Sequence, residues 1–292
     1  QNGQALGGTD YDTTVNGGRL HCWGTYGPIA ERIVFNGGEL LASWEYDTFE
    51  LSGHLTLNNT IGVYNNNNDK PAKTVFSGLV DGSGGFNMGW GNNAPVYFLS
   101  DNIVYTGTTT INGGAALYVG KKDNDTGNLA LGPVVNYGAL YFDRPGTYRE
   151  MTNRIDGSGA LYIRYGGTVT FSGNAMTNGA ARIGSGTLIL TNGASLALIG
   201  NSIEVGDRLG CNYPSDPTNV TATVNVYPGS VLVANYITFG NGNWVDGGYM
   251  GVTWNQFGGS VRTTWCTAEN NGMRLGHYPQ ADGVYNMMGG TL

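Results

Sequence analysis

Apolar and polar positions alternate along this chain in short bursts, and most bursts stop at glycine or asparagine. Ala116-Leu117-Tyr118-Val119, Ala139-Leu140-Tyr141-Phe142 and Ala160-Leu161-Tyr162-Ile163 show the form. A period of two residues places successive side chains on opposite faces of a strand. β-branched and aromatic residues fill the bursts, while Gly, Asn, Asp and Thr fill the gaps, the composition of strands and tight turns. The pattern predicts an all-β chain built from many short strands.

The bursts also recur. A glycine, often doubled, then a small residue, then strand residues, reads GGEL from Gly37, GGAALYVG from Gly113, GGTVTF from Gly166, GSVLVAN from Gly229 and GGTL from Gly289. Two longer units match each other, LVDGSGGFNM from Leu79 and RIDGSGALYI from Arg154. Intervals between equivalent glycines are 24 (Gly114 to Gly138), 21 (Gly138 to Gly159), 30 (Gly229 to Gly259) and 31 (Gly259 to Gly290). Irregular periods of this size fit a solenoid, in which one unit is one turn of chain and surplus residues bulge out as loops. Asn-Gly pairs at Asn36, Asn112, Asn178 and Asn192 are turn signals, but units this short cannot hold the four strands of a propeller blade.

In such a coil Leu117 and Val119 point inward and Tyr118 outward. Stacking at strand spacing sets Leu117, Leu140 and Leu161 in one apolar column, and glycines with positive φ turn the corners. The same alternation sends Tyr118, Tyr141 and Tyr162 to the outer surface as an aromatic ladder. Roughly a dozen coils of about 25 residues account for the whole chain as one domain, residues 1–292. YNNNNDKPAK (64–73), KKDNDTGN (121–128) and GCNYPSDPTN (210–219) read as loops between coils.

Composition narrows the function classes. Fifty glycines without a G-X-Y period are not collagen, and 40% apolar residues are too many for a disordered tract. A net charge of −7 without a basic stripe disfavours a nucleic-acid partner, and no apolar run has the length of a membrane span. Cys22, Cys211 and Cys266, like His21, His54 and His277, are scattered without metal-site spacing, so neither metal nor cofactor is expected. The cysteines are buried small residues, or Cys211 and Cys266 form one disulfide.

Beyond these physical readings, VYFLSDNIVYTGTTTINGGAALYVG, from Val96 to Gly120, resembles the autotransporter-associated β-strand repeat. LVDGSGGFNM is similar to that family's entry to a unit, and RIDGSGALYIRYGGTVTFSGN forms a second, looser unit. The tail, from NQFGGSVRTTWC to GVYNMMGGTL, is similar to a Gly-Gly-Thr repeat of large secreted bacterial proteins. The resemblance implies a right-handed parallel β-helix at the cell surface or outside the cell, serving as stalk, adhesin or fibre segment rather than as an enzyme. It departs from the family in having no C-terminal membrane barrel. The chain stops in mid-pattern at GGTL, so either further repeats or neighbouring copies of itself are expected against its ends.

The alternative is a polysaccharide lyase or glycoside hydrolase working in a β-helix groove, which needs several charged side chains converging from adjacent coils. Asp143, Arg144, Arg154, Asp156 and Arg164 are the candidates, although Asp143-Arg144-Pro145-Gly146 and Asp156-Gly157 are also turn sequences. Asp123 to Asn128 offers calcium-like oxygens but lacks a third ligand before its glycine and a distant Glu. Asn58, Asn124 and Asn219 head glycan-acceptor triplets of a kind that chance supplies in so Asn- and Thr-rich a chain. A glycan or a second copy is the partner expected at the tyrosines.

Overall fold

The computed structural model is all-β: 28 strands and no helix occur among the described residues. These are residues 12–23, 27–43, 48–65, 72–89, 95–198, 200–206, 219–240, 249–264, 273–274 and 281–292. Among the described residues the strands pair in parallel with partners roughly one repeat away in sequence, as the solenoid reading requires. The chain is a parallel β-helix. It divides into two compact units, Gln1–Leu140 and Tyr141–Leu292.

In the first unit each coil has three faces. Leu55–Leu57, Ile61–Asn65 and Lys73–Phe76 form one such turn. The next coil repeats it with Val80–Gly82, Phe86–Met88 and Pro95–Phe98. The long strand Ile33–Ser43 pairs with Leu55–Leu57 through its first half and with Ile61–Asn65 through its second, so it bridges two faces. Inward columns are continuous: Leu51, Phe76 and Phe98 in one, and Leu40, Val63, Met88 and Ile111 in another. All seven are buried. Between them Phe76, Phe86, Phe98 and Tyr105 form an aromatic cluster with centroids 4.8–6.2 Å apart.

The second unit has the same plan with a longer third face. Gly167–Ser172, Gly186–Thr191, Asn219–Val226, Tyr249–Gln256 and Ala281–Met287 lie side by side there. Its inward columns run Val169, Leu188, Val224, Trp254 and Phe171, Leu190, Val226. The second column then turns polar at Gln256, which is fully buried. Its Nε2 donates to the carbonyls of Gly259 (3.3 Å) and Thr291 (2.8 Å), and its Oε1 accepts the Tyr285 hydroxyl. A buried amide satisfied at both ends is tolerated in an apolar column.

The glycines act in two ways, of which positive φ is one. Gly114, with φ +82°, has open space around it and turns a corner. Gly84, Gly107 and Gly132 lie over one another on successive coils with no positive φ. A Cβ on Gly107 would sit 2.3 Å from the Gly84 backbone, and one on Gly132 would sit 2.0 Å from the Gly107 carbonyl oxygen. Only the absence of a side chain lets these backbones approach.

Candidate functional site

The three tyrosines lie where strand alternation sends them. Tyr118 is half-buried between the fully buried Leu117 and Val119; Tyr141 and Tyr162 have the same setting in the second unit. Tyr118 stacks on Tyr97 of the previous coil, with centroids 4.7 Å apart and planes 17° from parallel. Tyr141 stacks on Tyr162 at 4.4 Å and 14°. Tyr97 was not among the sequence candidates, because PVYF lacks the glycine and small residue that introduce the other units.

Charge continues the second stack. The Arg164 guanidinium lies 4.5 Å from the Tyr141 ring centre, and its Nε contacts Asp143 Oδ1 at 2.5 Å. Arg182 stands in register with Tyr162, 6.0 Å from its ring, and its Nε is 3.2 Å from Glu204 Oε2. In both pairs the two rings cover one face of each other, and a cation lies over each pair member in the second unit. The outward surface of such a stack consists mainly of ring edges and phenol oxygens. It suits hydrogen bonding and side-by-side packing better than a sugar laid flat on a ring face.

A second kind of ladder was not foreseen. Asn36 Nδ2 donates to Asn16 Oδ1 and Asn58 Nδ2 donates to Asn36 Oδ1, both at 2.7 Å. Asn112 Nδ2 donates to Asn87 Oδ1 at 2.7 Å. In the second unit Asn255 donates to Asn225 and Asn286 to Asn255, both at 2.9 Å. Each amide offers a donor and an acceptor, so one residue type can link coil to coil indefinitely. The signal is present as asparagines at intervals of 20, 22, 30 and 31 residues, but nothing local to an asparagine distinguishes a ladder member from a turn residue.

The charged cluster proposed for catalysis is distributed otherwise. Asp143, Arg144 and Arg164 are buried at a corner of the second unit. Arg144 lies 4.2 Å from the Tyr148 ring and donates to the carbonyls of Pro145 and Thr147, at 3.0 and 3.1 Å. The Tyr148 hydroxyl accepts the Arg144 backbone N–H at 2.9 Å, and burial pushes its phenol well above the usual range. Arg154 and Asp156 pair with each other nearer the surface. These contacts close a corner.

His54 has enzyme-like neighbours, with Nε2 2.8 Å from Asp81 Oδ2 and 3.2 Å from Thr56 Oγ1. Both partners meet the same ring nitrogen. A base that relays a proton needs the carboxylate and the hydroxyl on opposite nitrogens. In the 121–128 loop, Asn124 Oδ1 accepts from Thr126 N (2.9 Å) and Oγ1 (2.8 Å), while Asp101 Oδ1 accepts from Gly127 N (3.1 Å) and Asn128 Nδ2 (2.7 Å). It is an Asx turn pinned to the previous coil.

Of the glycan-acceptor asparagines, Asn58 is engaged in a ladder and Asn124 in this turn. Cys211 and Cys266 lie outside the described residues. Among the described residues no three His, Cys, Asp or Glu side chains gather as metal ligands, and no helix is long and apolar enough to cross a membrane. No family model, no curated protein and no solved structure matches this chain.

Proposed function

We propose that this chain is a non-catalytic structural or adhesive segment of a cell-surface or extracellular protein, in keeping with the autotransporter-associated repeat that its sequence resembles. One observation carries the reading: outward side chains pair like with like from coil to coil. Tyrosine stands on tyrosine and asparagine on asparagine. The polar capacity of these surfaces is turned along the stack and strengthens the coils, whereas an active site turns several unlike groups toward one point. In this reading the outer edge of the tyrosine stacks is the contact surface, for a glycan or for a neighbouring copy.

Native material is to be sized and imaged, and the chain applied to a glycan array beside a variant with Tyr118, Tyr141 and Tyr162 replaced by Ser. Loss of glycan binding or of lateral association, with the β-sheet circular dichroism retained, is the expected result. Binding that survives the triple replacement removes the tyrosines from the proposal. Turnover of a polysaccharide panel, with release of reducing or unsaturated ends, replaces the scaffold reading with the lyase or hydrolase one.

A further inference from the structure

Five Asn-Gly pairs lie among the described residues, beginning at Asn16, Asn36, Asn112, Asn178 and Asn192. Asn-Gly carries a chemistry of its own. The glycine N–H gives up its proton and its nitrogen attacks the asparagine Cγ. A new N–Cγ bond forms, the Cγ–Nδ2 bond breaks, and ammonia leaves a cyclic imide. Water then opens either imide carbonyl, giving aspartate or isoaspartate. The net change is one water consumed and one ammonia released, with no oxidant or reductant. Glycine lacks the side chain that would crowd the attacking nitrogen, so what the fold does to each amide decides where the reaction runs.

Three of the five are held. Asn36 is bonded at both ends, donating to Asn16 and accepting from Asn58. Asn112 Nδ2 has both of its hydrogens engaged, to Asn87 Oδ1 at 2.7 Å and to the Met88 carbonyl at 2.8 Å. Asn178 is fully buried, and the N–H of Gly179 is already donated to the Gly159 carbonyl at 2.8 Å. The other two are held once. Asn16 accepts from Asn36 and makes no other side-chain hydrogen bond among the described residues, and the Gly17-Gly18 bulge beside it is exposed and drops out of register with the next strand. Asn192 donates only to Ser172 Oγ, at 2.8 Å, and stands in a left-handed corner (φ +53°) before the exposed Gly193 (φ +80°).

The product fits at those two places and not at Asn36 or Asn112. At Asn36 a carboxylate would still accept from Asn58, but it would set an oxygen against Asn16 Oδ1, where a donor is required. At Asn112 the Met88 carbonyl and Asn87 Oδ1 would likewise both lose their donor. Asn16 serves only as an acceptor, which a carboxylate does better. Opposite Asn192 the Ser172 hydroxyl can rotate and become the donor. We propose that Asn16-Gly17 and Asn192-Gly193 are built-in deamidation sites, which add negative charge to the surface with time while the ladders and the fold persist.

The full chain is to be held at mildly alkaline pH, both folded and in denaturant, and the conversion at each Asn-Gly followed by peptide mapping with isoaspartate detection. In denaturant the five sites react alike. In the folded chain Asn16 and Asn192 lead, with Asn36, Asn112 and Asn178 slower by roughly fivefold or more, the factor that one additional net hydrogen bond represents. Asn16→Asp should leave the denaturation midpoint unchanged, and Asn36→Asp should lower it. Folded-state rates that are equal across the five, led by a ladder or buried site, or negligible at Asn16 and Asn192 overturn the proposal. So does an Asn36→Asp variant as stable as Asn16→Asp.

Discussion

Replacing Gly107 by alanine tests whether backbone contact between coils, rather than turn conformation, places glycine at the corners. Gly107 has no positive φ, so alanine suffers no conformational strain there. Its Cβ would lie 2.3 Å from both C and O of Gly84 and 2.7 Å from Gly85 N. Ordinary contact begins near 3.4 Å, so the overlap is about 1 Å against backbone on the adjacent coil, and no rotamer relieves it. The coils must part locally, and the Gly107 N–H to Gly84 O bond, already 3.2 Å, is then lost. Overpacking of this kind costs about 1–3 kcal/mol, and the lost hydrogen bond about 1 kcal/mol more. The expected destabilisation of the first unit is therefore about 2–4 kcal/mol. Gly113 is the control: it has no positive φ, and the nearest atom to its would-be Cβ is Tyr137 O at 4.0 Å. Alanine there should be neutral or stabilise by about 0.4–1 kcal/mol, through the unfolded chain. Guanidinium denaturation followed by circular dichroism measures both. Equal midpoints for Gly107→Ala and Gly113→Ala would refute the reasoning.

Phe98 stands in the aromatic cluster of the first unit, and Phe98→Ala should cost about 3–5 kcal/mol in the same assay, a loss that Phe98→Leu largely restores. Asp143→Ala leaves the buried Arg164 without its carboxylate and should cost about 3–5 kcal/mol; the double variant Asp143→Ala/Arg164→Met should recover part of it, and a double variant no more stable than the single one argues against the pairing. The Cys22 thiol is pushed up from 9.0 to about 12 by burial, so it stays protonated at neutral pH and should be alkylated far more slowly in the folded chain than in denaturant, as read by mass mapping of Cys22. Because the folded value is the higher one, the stability tied to this thiol is complete below pH 9.0 and is lost as pH rises toward about 12; Cys22→Ala should flatten that part of the stability curve.

Much of this protein was settled by local pattern. Alternation in GGAALYVG, YGALYF and GSGALYI fixes which residues face inward whatever the neighbours are, since side-chain direction in a strand has period two. Recurrence of these units at 21 to 31 residues leaves stacked coils as the economical way to bury them, and the parallel β-helix follows. The outward tyrosines were legible for the same reason. What a side chain touches across coils depends on register, which the loops set and the local pattern does not encode. Register paired Tyr118 with Tyr97, lined asparagines into ladders, and folded Asp143, Arg144 and Arg164 into a corner instead of opening them to a groove. It also brought Gly84, Gly107 and Gly132 into backbone contact, a demand for glycine that no turn rule reveals. Direction along a strand is a property of consecutive residues; contact between coils belongs to residues some twenty to thirty apart, and only the folded chain brings those together.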